Sequence, residues 1–134
     1  MTQDPVAVAK ESYDRCCEAP EFFPTFYENF FAACPAARPM FAKTDFARQH
    51  KLLRHAIGLL FTYGRRPEAE PNVLSRVAAR HGRGQLGVDP AMYPAFLDSL
   101  IQTAREFDPA FTDATAAAWR QAAAKGIAYM QSRY

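Results

Sequence analysis

Every long apolar pattern in this chain repeats at three- and four-residue spacing and stops at a proline or a glycine. That period belongs to α-helices with one buried face, and no alternating strand pattern longer than four residues competes with it. The spacing therefore predicts an all-α architecture. A first helix is expected over about Asp4 to Cys17, ended by Ala19-Pro20. A second is expected over Glu21 to Cys34, with Pro24 in its first turn, where a missing N–H is tolerated. A short helical turn lies between Pro35 and Pro39, followed by a connection from Ala42 to Phe46. A long helix is expected over Ala47 to Tyr63 and a loop over Gly64 to Pro71. A short helix follows over Asn72 to Arg80, then a loop carrying Gly82, Gly84 and Gly87. Asp89-Pro90 starts another helix through capping and a first-position proline, and Asp108-Pro109 breaks it. The last helix is expected over Thr112 to Gln131. These are seven helices, counting the short turn.

Composition narrows the classes. At 134 residues the chain is expected to form one domain spanning residues 1–134. Apolar residues make up 49%, which excludes a disordered tail, and 25 alanines favour helix throughout. Sixteen basic against fourteen acidic residues leave +2, too little to point to nucleic acid or an anionic membrane as partner. No apolar run approaches the roughly 18 residues of a membrane span. Met1 to Pro5 shows no secretory pattern. Three cysteines, Cys16, Cys17 and Cys34, suit neither a disulfide framework nor a zinc site, so a reducing, cytoplasmic setting is expected.

Several side chains stand out against these faces. The second helix carries a wide aromatic stripe, Phe22, Phe23, Phe26, Tyr27, Phe30 and Phe31. Eleven phenylalanines against eight leucines fit either an aromatic core or closely approaching helices around something large and flat. The long helix presents Leu52, Leu53, Ala56, Ile57 and Leu60, headed by one polar residue, Gln49. In the short helix Val73, Val77 and His81 fall at i, i+4 and i+8 on the inner face. Imidazole is a good ligand for iron and other transition metals, although a lone histidine on an apolar face is more often structural.

Taken in order and spacing, these residues resemble the globin family, most nearly the bacterial single-domain haemoglobins and the haem domain of flavohaemoglobins. Phe26-Tyr27-Glu28-Asn29-Phe30-Phe31 before Pro35 is similar to that family's second helix. Phe41 stands where the family packs a phenylalanine on the haem face. Gln49 and Leu53 resemble the distal helix. Arg80-His81, Val88 and Tyr93 resemble the proximal histidine, the haem-edge valine and the tyrosine that starts the next helix. Trp119 sits where the last helix often has tryptophan.

The resemblance implies a globin fold, a three-over-three helical sandwich around haem b held by His81. It implies haem contacts from Phe30, Phe41, Leu53, Val77, Arg80, Val88 and Tyr93, with Arg48 and Arg83 as further candidates for the propionates. It puts Tyr27 and Gln49 beside a bound diatomic ligand: oxygen, nitric oxide or carbon monoxide. Nitric oxide dioxygenation would need an external reductase. Other globin roles are a gas or redox sensor acting through a partner protein and a haem-free interaction module. A monomer or weak homodimer is expected.

Two departures from the family bear on the chemistry. The interval from Phe41 to Gln49 is about two residues shorter, which makes His50 a rival second iron ligand. Helical phase opposes it, because His50 lies about 100° from the Leu53 stripe. The glutamate that the family's oxygenases carry late in the last helix has no counterpart, since no Glu follows Glu106.

Overall fold

A computed structural model describes residues 4–134. It contains six α-helices and two short 3-10 helices, with no strand among the described residues. In chain order these are α1 (Pro5–Cys17), α2 (Phe22–Ala33), a 3-10 helix (Pro35–Phe41), α3 (Phe46–Arg65), α4 (Ser75–His81), a 3-10 turn (Pro90–Met92), α5 (Tyr93–Phe107) and α6 (Asp113–Ser132). The all-α expectation holds. No helix among the described residues is long and apolar enough to cross a membrane.

Local capping explains most of the boundaries. Asp4 accepts the Val6 amide at 3.1 Å, and Asp45 accepts the amides of Ala47 and Arg48. Thr112 and Thr115 exchange a reciprocal pair of bonds at the start of α6. Several boundaries differ from the sequence reading: α3 runs on through Gly64 to Arg65, which the sequence reading places in a loop, because the backbone bonds continue to Arg66 N on the Thr62 carbonyl. Phe46 belongs to α3 rather than to the preceding connection, because the Asp45 cap starts the helix one residue earlier. The short helix begins at Ser75, not Asn72. Asn72 is occupied in an Asx turn, its side chain accepting the Leu74 amide at 2.9 Å, which leaves Val73 in that turn and 43% exposed rather than on an inner face. Asp89-Pro90 opens a 3-10 turn, and the α-helix proper starts at Tyr93.

The helices form two layers, α1, α3 and α4 against α2, α5 and α6, with the closest pairings α1 on α6, α3 on α6 and α2 on α5. Where α3 meets α6 the backbones touch: a Cβ at Gly64 would collide with the Ala122 carbonyl. Glycine and alanine at that crossing let the two longest helices pack without intervening side chains.

The side of the sandwich nearest α1 is closed by a ring cluster and one buried polar network. Tyr13 meets Phe22, Phe61 and Trp119 edge to face at 5.8–6.3 Å between centroids. Trp119 Nε1 donates to Ser12 Oγ at 3.0 Å, and Ser12 donates to Asp108 Oδ2 at 2.6 Å. Arg15 grips both Asp108 oxygens, at 2.6 and 2.9 Å, and the Ala110 amide adds a bond at 2.9 Å. Burial alone would raise the Asp108 pKa, but the bonds from Arg15, Ser12 and Ala110 together hold it below the usual carboxylate value.

Candidate functional site

The site is built from two groups of side chains that meet along α5. One group lies between α2 and α3. Tyr27, on the inner face of α2, is 5% exposed, and Gln49 Nε2 in the first turn of α3 donates to its hydroxyl oxygen at 3.1 Å. In this arrangement the amide donates to the tyrosine. The phenolic proton is then free for another acceptor. Burial, outweighing the Gln49 bond, pushes the Tyr27 pKa up to about 12, so the proton stays on at neutral pH.

A cage of rings holds Tyr27 in place. Phe41 and Phe46 stand 5.4 and 5.3 Å from its centroid, and Phe26 stands 5.1 Å away. His50 stacks on Tyr27 at 5.7 Å and on Phe23 at 6.1 Å. The imidazole of His50, the candidate second iron ligand of the sequence, is thus turned toward α2 and lies flat against two rings. His55 is exposed, as helical phase predicts. An open cavity of about 300 Å3 reaches Tyr27 from solvent beside Phe46 and His50.

The second group lies on α4 and the loop after it. His81, the last residue of α4, is partly buried, and its Nδ1 lies 2.7 Å from the Val77 carbonyl one turn earlier. A carbonyl can only accept, so Nδ1 carries the proton and Nε2 carries the lone pair. Burial lowers the His81 pKa, helped by the charge on Arg80 and opposed by the Val77 bond, so the ring is neutral at physiological pH. The chain then folds back on itself. The amide of Leu86 bonds to the Arg80 carbonyl and that of Val88 to the His81 carbonyl, at 3.0 and 2.9 Å. Gly87 permits that reversal with a φ of +62°. Val88 is thereby brought back beside His81.

Phe96 and Leu97 of α5 pack against both hydrophobic clusters, the one that includes Tyr27, Phe30, Leu53 and Phe41 and the one that includes Tyr93, Val77 and Val88. Phe30, Leu53 and Tyr93 are buried, whereas Phe41, Val77 and Val88 stay half-buried. Arg48 and Arg80 are exposed, and neither forms an ion pair among the described residues. Arg83 lies over the Tyr134 ring at 4.9 Å, a use that its position in a glycine-rich loop does not reveal. Sequence reasoning also missed Phe46 and Phe96 as walls. Phe46 falls in the connection that the sequence places before the long helix, and no motif singles out Phe96.

Comparison with known proteins bears on the family and the fold. A family model described as Globin matches residues 24–130. Protein PA3967 from Pseudomonas aeruginosa PAO1, whose crystal structure is described as structurally highly homologous to a human hemoglobin, is 35% identical to this chain. The two superpose with a TM-score of 0.90, over 97% of this chain and 98% of that one. No curated protein matches the sequence. With the family model covering most of its length and all six α-helices in place, the chain belongs to the globin family.

Proposed function

We propose that this protein binds haem b through His81 and reversibly binds a small diatomic ligand on the side of Tyr27 and Gln49. The observation that carries the reading is the His81 Nδ1–H bond to the Val77 carbonyl at 2.7 Å. A metal-ligating histidine characteristically spends one ring nitrogen on a backbone carbonyl or carboxylate, which fixes the tautomer and orients the ring. Here that leaves Nε2 as a neutral donor without a protein partner among the described residues.

The remaining residues match the needs of a flat, largely apolar group with anionic edges. Phe41, Val77 and Val88 keep apolar surface uncovered, and Phe30, Leu53 and Tyr93 back them. Arg48 and Arg80 supply unpaired cations for propionates. Haem would supply an iron with one open coordination position for oxygen, nitric oxide or carbon monoxide. The chain's own contribution is a hydrogen bond. Gln49 occupies the Tyr27 oxygen, so the tyrosine proton points away from Gln49 and is available to a ligand with partial negative charge. Nitric oxide dioxygenation on such a site would draw its electrons from a separate reductase. The stack of His50 on Tyr27 and Phe23 favours a five-coordinate resting state.

Titrating the purified protein with haem tests the reading. Saturation at one haem per chain and a five-coordinate ferrous spectrum are expected. A low-spin, two-histidine ferrous spectrum would assign a ligand role to His50, and the absence of saturable binding would overturn the proposal.

A further inference from the structure

We propose that Tyr129, acting through Glu70, is a positioning residue that latches the short helix α4 and so sets where His81 stands; this rests on the reading of His81 as the iron ligand. The need for a latch follows from α4 itself. It has seven residues, fewer than two full turns, and a helix that short is not stable alone. Val77 and His81 share one side of it. On the other side Ser75, Ala78 and Ala79 line an open cavity of about 360 Å3 together with Glu70, Pro71 and Arg133. That side of the helix thus faces an open cleft.

What bridges that space is a directed chain of hydrogen bonds. The Asn72 amide donates to Ser75 Oγ at 2.8 Å. Ser75 Oγ lies 3.3 Å from the Tyr129 hydroxyl, and the Tyr129 proton is committed to Glu70 Oε1 at 2.6 Å. Ser75 therefore donates to Tyr129, and the relay ends on a carboxylate. Arg133 Nε completes it, 2.8 Å from the same Glu70 oxygen. The Tyr129 ring is itself fixed against Tyr63 of α3 at 5.3 Å.

The last turn of α6 also holds the chain after His81. Gln131 Nε2 donates to the Pro90 carbonyl at 3.1 Å, and the Arg83 amide donates to the Tyr134 carbonyl at 3.0 Å. One helix end thus ties down both flanks of α4, and Tyr129 is the member that touches Ser75 in α4 and Glu70 before it. Linked bonds of this kind polarise one another, so loss of the central hydroxyl weakens the whole relay.

The test compares Tyr129→Phe, which keeps the ring on Tyr63, with Glu70→Gln, an exposed loop substitution that weakens the acceptor without threatening the core. In the haem-free chain, amide exchange over residues 77–88 should quicken by about tenfold in either variant, with α1 and α2 unchanged. In the haem-loaded chain the iron–histidine stretching band should shift or broaden, and haem loss should quicken by about three- to tenfold. Exchange at wild-type rates over 77–88, a uniform rise across all helices, or an unmoved iron–histidine band would each overturn the proposal. Failure of the wild type to bind haem would sink the His81 reading alone, since the exchange measurement on the haem-free chain still reports the latch.

Discussion

On the α1 side of the sandwich Trp119, Phe22, Cys16 and Ser12 have no solvent exposure at all, and Ser12, Trp119 and Asp108 satisfy one another's hydrogen bonds. Around α3 and α4 the packing is different. Of the large apolar side chains left exposed among the described residues, Met40, Leu52, Val73 and Leu86 all fall in the stretch from the first 3-10 helix to the loop after α4, and only Tyr134 lies elsewhere. Phe41, Val77 and Val88 in the same stretch are half-buried. One side of the molecule is finished by its own side chains, and the other keeps apolar surface uncovered. Gln49 and His81 lie in that stretch, and Tyr27 reaches Gln49 from the buried face of α2. The contrast also separates two kinds of substitution: those on the closed side should cost stability, and those on the open side should change ligand behaviour.

Trp119→Ala is the most severe break of the closed side. It removes the largest buried ring and one of the two bonds at the Ser12 hydroxyl, and it should destabilise the fold by about 3–5 kcal/mol. Chemical denaturation of the two proteins at neutral pH checks this. A loss below about 1 kcal/mol would mean that the closed side repacks freely and that the contrast is overdrawn.

Asp108→Asn strikes the same network through charge and should cost about 3 kcal/mol, because Arg15 loses its partner beside a buried site. The sign with pH follows from the lowered Asp108 pKa. Its contribution is fully present above the unfolded carboxylate value, about 4, and is lost as pH falls through the lower folded value. The wild type should therefore lose stability steeply below about pH 4, and Asp108→Asn should lose less over that window. Parallel slopes would show that other carboxylates carry the acid sensitivity.

The closed side was the harder one to read from sequence. Helix existence was legible because proline, glycine and capping residues mark the ends, and the stripes of α2 and α3 name much of the core on those helices. Asp108 looked like a helix stop and nothing more. Its burial depends on Ser12 and Arg15, more than ninety residues earlier, and no local pattern encodes that meeting. The candidate site was more legible, because its parts are local. Val77 and His81 are one turn apart, and helical geometry alone permits their bond. Tyr27 and Gln49 sit on stripes that point inward. What periodicity did not reveal is direction: which of the two donates, and that His50 turns its flat face to Tyr27.

Tyr27→Phe is the matching probe of the open side and the smallest change in stability. Removal of one charge-assisted bond should raise the oxygen off-rate by about ten- to a hundredfold. Carbon monoxide carries much less charge on its outer atom, so its off-rate should barely move. Stopped-flow release of both gases from the same variant makes the comparison. Equal, small changes for the two gases would mean that Tyr27 is not the donor and that His50→Ala is the next variant to measure.

The proposal that His81 Nε2 holds an iron is tested by the ferrous absorption spectrum of His81→Gly with and without added imidazole. Imidazole fits the space left by the deleted ring and can supply the missing nitrogen. The variant alone should retain little haem or show a ferrous spectrum without a histidine ligand, and imidazole should restore the wild-type spectrum. Wild-type ferrous and carbonyl spectra in His81→Gly without imidazole would contradict the account and give the iron to another residue.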